Sequence, residues 1–204
     1  MSSMSEFITH NYSGRAYSSE EIISFSNSPL THLADIEQEM QYHRGVSHIQ
    51  VSCLTQREFD IFIKEYADQY ESIYFFQNPQ IKDLSALASL RNVEYLLFYN
   101  LRAAKQLWNM QNNISLKGIF ISESKGLAYD ISPIADAPVL EEFLLFSNMN
   151  RKYTVKTLAP IKDNPSIKRV MIECNTENRD FVPSEFSHLE VFKYCVDKQK
   201  NYYF

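Results

Sequence analysis

The sequence predicts an α/β solenoid, in which the chain coils through six to seven repeats with one short strand in each. The first observation is a recurring step, because apolar residues precede seven candidate strands at intervals of 22 to 27 residues. These anchors are Val46, Tyr70, Val93, Leu116, Leu140, Ile167 and Leu189. The second observation is that the third and fifth residues after every anchor are also apolar. Periods of roughly 20 to 50 residues are typical of solenoids, in which each repeat packs on its neighbours.

The third and fifth positions predict which side of each strand is buried. Side chains alternate along a strand, so two positions that differ by two point the same way. We expect these residues to fill the interior of each coil. In chain order the pairs are Ile49 and Val51, Ile73 and Phe75, Leu96 and Phe98, Ile119 and Ile121, Phe143 and Leu145, Val170 and Ile172, and Phe192 and Tyr194.

Short helices and turns are predicted between the strands. Residues 83–87, 130–134 and 156–161 share a pattern of polar and apolar positions, as do residues 137–140 and 164–167. Residues 55–66 fit a helix, because Thr55 and Glu58 form a capping box ahead of an apolar stripe. We expect Leu101, Ala104, Leu107 and Trp108 to form a similar apolar stripe. An alternative for Trp108 is an anchor on the surface.

Asparagines follow three of the strands. Asn78, Asn148 and Asn175 stand at the eighth position after the anchor and complete the pattern L-x-x-L-x-L-x-x-N. An Asn amide there can satisfy backbone groups where the chain leaves the strand. The other repeats have Leu54, Leu101, Ser124 and Asp197 at this position.

With these motifs, residues 46–195 resemble the leucine-rich repeat family. The short repeats are similar to those of internalins and phosphatase regulators, although aromatic residues often replace leucine. The resemblance implies a parallel β-sheet on the concave side and helical or 3-10 turns on the convex side. We therefore divide the chain into an N-terminal cap (1–45), the repeats (46–195) and a C-terminal tail (196–204).

Both ends of the array need a cover. Ser18 and Glu21 fit a capping box, and Ser28-Pro29 fits the start of a helix that ends near Tyr42. In the competing interpretation, Ile23 and Phe25 belong to a degenerate first repeat. We expect the tail, which ends in Tyr202-Tyr203-Phe204, to fold back over the edge of the last strand. An exposed peptide is the alternative.

Composition excludes several functions. The chain has four glycines in 204 residues, too few for glycine-rich phosphate loops. Its net charge of −5 argues against nucleic acid as a partner. No apolar run is long enough for a membrane span, and no signal sequence is evident. Cys53, Cys174 and Cys195 form no metal-binding motif, so we expect free thiols and a cytoplasmic location, although Cys174 and Cys195 could form a redox pair on neighbouring strands.

The sequence lacks the common catalytic motifs. The five histidines show no metal-binding spacing, and neither a G-x-S-x-G elbow nor a P-loop occurs. Glu141 and Glu142 are neighbours on a strand and so face opposite sides, which favours solvated charges over paired catalytic carboxylates. We expect no enzyme activity and no cofactor.

The remaining candidate for a functional site is one surface of the predicted sheet. The resemblance implies that the second, fourth and sixth residues after each anchor face the concave side, and six of the fifteen in the five central repeats are aromatic. Exposed apolar area of this kind marks interaction sites. The predicted partner-binding residues are Tyr74, Phe76, Tyr95, Leu97, Tyr99, Phe120, Glu142, Phe146, Arg169 and Glu173. Two alternatives are a purely structural aromatic ladder and an internal cover by the N-terminal segment or the tail.

These expectations favour a monomeric, non-catalytic module that binds a partner protein. One alternative is an immunity protein that neutralises a bacterial toxin, suggested by small size and acidity. A second is a regulatory subunit that docks on an enzyme such as a phosphatase. A receptor for a small molecule or glycan is a third.

Overall fold

The structure is a computed structural model that describes residues 6–25, 33–147, 153–177, 182–197 and 200–203. Short elements alternate along these segments. The helices are α1 (Ile8–Gly14), α2 (Leu33–Tyr42), α3 (Gln56–Glu65), α4 (Lys125–Tyr129) and α5 (Ala159–Asp163). The strands are β1 (Ile22–Ser24), β2 (His48–Ser52), β3 (Ser72–Phe76), β4 (Tyr95–Tyr99), β5 (Gly118–Ser122), β6 (Glu142–Phe146), β7 (Thr154–Val155), β8 (Arg169–Ile172), β9 (Asn175–Thr176), β10 (Val191–Asp197) and β11 (Lys200–Tyr203).

One sheet organises the fold. Eight parallel strands lie side by side in chain order, β1-β2-β3-β4-β5-β6-β8-β10, and β11 joins the end antiparallel to β10. The strands β7 and β9 form a separate parallel pair. The expected α/β class with a parallel sheet is confirmed.

The strands are aligned as the sequence pattern predicts. The third-position residues Ile49, Ile73 and Leu96 are neighbours across β2, β3 and β4, and the same register continues to Phe192 in β10. All fourteen residues at the third and fifth positions are buried in one core. The expectation that both positions face one interior is therefore confirmed.

The chain leaves four successive strands in the same way. The residues directly after β2, β3, β4 and β5 are Cys53, Gln77, Asn100 and Glu123, and each has a positive φ between 53° and 63°. This left-handed conformation is costly for residues other than glycine. The backbone N–H groups of Gln77 and Asn100 donate to the carbonyls of Tyr99 and Ser122, which precede the equivalent turn on the next strand, and the Cys53 N–H donates to the Gln77 carbonyl.

Buried polar side chains bind the backbone at these turns. The Asn78 amide nitrogen donates to the Val51 carbonyl at 2.8 Å, and its oxygen accepts from the Leu54 N–H at 2.8 Å. The expected role of Asn at the eighth position is confirmed here. Ser124 acts similarly, because its hydroxyl oxygen accepts from the Leu101 N–H at 3.0 Å. Asn148 lies outside the described residues.

The connections behind the sheet are short helical turns, as expected. Residues Ser85–Ser89 and Ser132–Asp136 form 3-10 turns, and α5 follows in the equivalent place. The amide nitrogen of Asn164 donates to the Ile134 and Ala137 carbonyls at 2.7 and 2.9 Å. Asn113 binds the carbonyls of the first 3-10 turn in the same manner.

One predicted helix forms and another does not. The helix α3 begins after Thr55, which forms the expected capping box with Glu58. By contrast, residues 100–117 contain no helix, although Leu101, Ala104, Leu107 and Trp108 are all buried. The Trp108 indole N–H donates to Asn113 at 2.8 Å. The apolar stripe was predicted correctly as core, but its helical form was wrong, and Trp108 is not a surface anchor.

At the N-terminal end, β1 lies parallel to β2 and both Ile23 and Phe25 are buried in the core, as the interpretation of a degenerate first repeat predicts. The Ser18 capping box forms, but it begins a 3-10 turn that leads into β1 rather than a helix. The helix α2 ends at Tyr42 as predicted, whereas Ser28-Pro29 lies outside the described residues. The tail folds back as β11, as expected, and Phe204 lies outside the described residues.

Two further expectations concern the cysteines and membranes. Cys53 and Cys174 are free thiols, and burial raises the pKa of Cys174 to about 12. The side chain of Cys195 lies outside the described part of the chain. No helix in the described segments is long and apolar enough to cross a membrane.

Candidate functional site

The second, fourth and sixth residues after each anchor form the sheet face opposite the core. We call it the α1 face, because α1 packs across β3, β4, β5 and β6 on this side. The predicted site residues all belong to its strands, except Glu173, which directly follows β8. Their apolar members cluster with Phe7 and Met171.

The α1 face is not open along its length. Six of the ten predicted residues are buried, and the other four are partly exposed. The buried ones are Tyr74, Tyr95, Leu97, Phe120, Glu142 and Phe146, and the partly exposed ones are Phe76, Tyr99, Arg169 and Glu173. The expectation that these side chains form one exposed patch was wrong, because residues 6–17 cover much of it.

A buried carboxylate holds the start of α1. The Glu142 side chain is 1% exposed, and its oxygens accept from the N–H groups of Ile8 at 3.3 Å and Thr9 at 3.1 Å. The Thr9 hydroxyl donates to the same carboxylate at 3.2 Å. Arg169 pairs with the carboxylate through two contacts of 2.7 Å. Glu142 therefore caps a helix from a distant strand, and the expectation that it is a solvated charge was wrong.

This cap matters because α1 is a weak helix by itself. Its sequence, ITHNYSG, is rich in residues of low helix propensity, and the side chain of its N-cap residue, Phe7, makes no capping hydrogen bond. A seven-residue helix is also well below the length that is stable alone in water. Contacts with the sheet therefore stabilise α1.

A glycine allows α1 to approach the sheet closely. A Cβ atom at Gly118 would lie 2.4 Å from the Thr9 Cγ2 atom and 2.8 Å from the Tyr95 ring. No side chain fits in this space without displacing α1 or Tyr95. The neighbouring Phe7 is fully buried. The Lys193 ammonium lies 5.3 Å from the centre of its ring and pairs with Glu6 at 3.0 Å.

Tyrosines fix the other end of this cover. The Tyr12 hydroxyl donates to Glu71 at 2.7 Å, and its ring centre lies 5.0 Å from that of Tyr95. Burial, followed by the hydrogen bond to Glu71, raises the pKa of Tyr12. The Tyr17 ring lies 6.1 Å from Tyr74, and its hydroxyl donates to the Tyr12 carbonyl. The covering segment is therefore attached at three places along its length.

Beyond the cover, the carboxyl ends of the strands form an aromatic rim. We use this name for Phe76, Tyr99 and Phe146, which occupy the sixth position in aligned strands with Ser122 between them. The Phe76 and Tyr99 rings are stacked 5.2 Å apart at an angle of 10°. Both are partly exposed, whereas Phe146 is buried against Phe120. Phe76 and Tyr99 are therefore the part of the predicted apolar site that solvent reaches.

Charged groups at the other end of the strands are mutually paired. Lys117 contacts Glu94 at 2.7 Å, Lys168 contacts Glu141 at 3.2 Å, and Arg169 reaches Glu190 at 3.8 Å. Burial raises the pKa of Glu173, which lies apart from these pairs. Within the described segments, no group of three or more His, Cys, Asp or Glu residues is arranged to hold a metal ion.

The alternative of an internal cover by the N-terminal segment describes this part of the face, but the individual covering residues were not predicted. Phe7, Tyr12 and Tyr17 recur at five-residue intervals in a polar segment. That spacing was the signal that this segment lies on an apolar face. Nothing in the sequence around Gly118 indicated that this residue must be glycine. The requirement depends on Thr9, which lies 109 positions away in the sequence.

Comparisons with known proteins give no relative: no family model matches the chain, and no curated protein or solved structure matches it significantly.

Proposed function

We propose that the protein is a non-catalytic module that binds a partner protein, built on a leucine-rich repeat solenoid. The solenoid is supported by the consecutive parallel strands in matching register and by the left-handed residue after four of them. The amide contacts of Asn78, where the chain leaves β3, give further support.

The partner binds at the aromatic rim rather than across the whole α1 face. The observation that carries this proposal is the partly exposed, stacked pair of Phe76 and Tyr99. Aromatic rings are enriched at interface cores and among the residues that contribute most to affinity. A stacked pair is already ordered, so less side-chain entropy is lost on binding.

Affinity capture from the native lysate tests this function, with wild type compared with the double variant Phe76→Ala/Tyr99→Ala. We expect one protein to be retained by wild type and lost with the variant. Removing two aromatic anchors typically weakens binding by about 2–4 kcal/mol in total. Circular dichroism establishes that both baits are folded.

The matched control is Tyr42→Ala/Ile114→Ala, which removes two exposed apolar side chains away from the rim. We expect this variant to retain the partner. Equal retention by a folded rim variant would refute the rim as the site. Loss with the control variant as well would indicate non-specific adhesion instead.

A further inference from the structure

A polar cleft lies beside the aromatic rim, and the proposed partner site does not include it. Its volume is about 1040 Å³, and its lining includes Asn100, the residue that follows Tyr99 in the chain. Its polar lining residues include Asn100, Arg102, Lys105, Lys125, Tyr129 and Tyr153. Sites for small molecules commonly enclose roughly 300–1000 Å³, so this cleft is large enough for one.

Three cations of the cleft have no carboxylate partner among the residues that the structure describes: Arg102, Lys105 and Lys125. Arg102 donates through Nε to the Asn100 side chain at 2.7 Å, and the Lys105 ammonium donates to the Arg102 carbonyl at 3.1 Å. The Nη atoms of Arg102 and the charge of all three groups remain for a ligand. Such clustering is notable in a chain whose net charge is −5.

The two acids of the cleft are engaged by tyrosines. The Tyr129 hydroxyl donates to Glu177 at 3.0 Å, and the Tyr153 hydroxyl donates to Glu123 at 3.4 Å. These hydrogen bonds disperse part of each negative charge. Three cations and two carboxylates give the lining a formal charge of +1, which favours an anion as the ligand.

Close backbone packing holds together the segments that carry the cations. A Cβ atom at Gly126 would lie 2.2 Å from the Ala104 carbonyl oxygen, so the two backbone segments are in direct contact. This contact joins the segment of Arg102 and Lys105 to the segment of Lys125. The Lys156 N–H donates to the Tyr129 carbonyl at 2.8 Å, which joins the end of α4 to the segment that follows β7. The cleft is therefore built from segments that are held together before any ligand arrives.

We propose that this cleft binds a small, multiply charged anion through its phosphate or carboxylate groups. Arg102 supplies the fork of donors that matches such an oxyanion, while Lys105 and Lys125 contribute point charges. The inference does not depend on the partner-binding function, because no residue of the aromatic rim lines the cleft.

The test is a ¹H–¹⁵N NMR titration of the full chain with pyrophosphate and, separately, with citrate at constant ionic strength. We expect saturable changes in the chemical shifts of the Lys125 and Gly126 amide signals with at least one of the two anions. The anion that binds more tightly identifies the group as phosphate or carboxylate. We expect Arg102→Gln/Lys125→Gln to weaken that binding roughly tenfold or more, since hydrogen bonds to charged groups are lost.

The control is Arg57→Gln/Lys82→Gln, which makes the same change of charge at exposed residues outside the cleft. It should bind the anion as wild type does. The proposal is overturned if neither anion gives a saturable shift, or if both double variants weaken binding equally. Well-dispersed spectra of the free variants would verify that each is folded.

Discussion

The covered and uncovered parts of the α1 face carry similar aromatic residues but have different surroundings. Under α1, Tyr74, Tyr95 and Phe120 are buried against Phe7, Tyr12 and Tyr17. At the rim, Phe76 and Tyr99 stack on each other and meet solvent. The composition of a strand therefore does not decide whether it presents a binding surface. A short segment far away in sequence decides it.

The covered part is specified by polar contacts as much as by apolar ones. The buried Glu142, the partly exposed Arg169 and the start of α1 form a cluster in which each charge has a partner. The rim has only ring stacking. Substitutions under α1 should therefore mainly change folding stability, whereas substitutions at the rim should mainly change binding.

The largest effect is expected for Glu142→Ala, which leaves Arg169 without its closest partner and the first N–H groups of α1 without an acceptor. Leaving the buried Thr9 N–H and hydroxyl without an acceptor costs about 1–3 kcal/mol for each group, and the partly exposed ion pair with Arg169 is lost as well. Urea denaturation measures the loss of unfolding free energy. The neighbouring Glu141→Ala removes a half-exposed partner of Lys168 and should cost less than about 1 kcal/mol. Equal losses in the two variants would contradict the capping role of Glu142.

Alkaline pH should also destabilise the covered part. Burial raises the pKa of Tyr74 to about 12, and burial together with Glu142 raises that of Tyr95 to about 12, from an ordinary value of 10.0. The unfolded chain then loses these protons first, so stability is complete below pH 10 and falls as the pH approaches 12. One such ring contributes up to about 3 kcal/mol.

Denaturation at a series of pH values measures this loss, and absorbance at 295 nm follows the ionisation of tyrosine. The variant Tyr74→Phe removes one titrating group, so its stability should fall less between pH 10 and pH 12 than that of wild type. An identical pH dependence in both proteins would show that Tyr74 titrates normally.

A smaller loss is expected for Gly118→Ala. The added methyl group would displace Thr9 and α1 from the sheet, and overpacking of this kind costs about 1–3 kcal/mol. Limited proteolysis should cut near residues 6–17 sooner in this variant. The control is Gly14→Ala, where a Cβ would meet nothing within 4 Å. Similar proteolysis of both variants would refute the close approach at Gly118.

The smallest change of stability is expected at the rim. Tyr99→Ala removes a partly exposed ring and its stacking on Phe76, which contributes about 0.5–1.5 kcal/mol. Phe98→Ala, at the adjacent fully buried position, should cost about 3–5 kcal/mol. Thermal denaturation compares the two variants. A rim variant as unstable as Phe98→Ala would place Tyr99 in the core and argue against its role in binding.

Periodicity made the sheet predictable, because each repeat buries the same two positions of its strand. Ile73 and Phe75 could be assigned to the core from their spacing alone, and so could their equivalents. The helix expected around Leu101 does not form, and the reason is local. The apolar spacing suits a helix, but the segment buries the same residues while its backbone is irregular. Apolar spacing predicts burial more reliably than it predicts conformation.

The sequence predicted which residues share the α1 face, but it did not predict how exposed their side chains are. Alternation along the strands placed Tyr95 and Glu142 on one face correctly. Whether that face was open depended on α1, a segment whose helix propensity is poor and whose contacts span more than 130 positions. Long-range pairs such as Thr9 with Glu142 leave no periodic signal. The cleft was missed for the same reason, since its walls come from four segments that are separate in sequence, namely residues 100–105, 123–129, 153–154 and 177.

The left-handed residues that end four strands have a consequence for engineering. Each is a side-chain-bearing residue in a conformation that costs roughly 1–2 kcal/mol relative to its preferred one. Asn100 and Glu123 also line the cleft, whereas Cys53 and Gln77 do not. Glycine at the latter two positions relieves that strain without altering the cleft. Glycine at Cys53 and Gln77 should therefore raise the thermal stability of the chain, and the change at Cys53 also removes a free, partly exposed thiol.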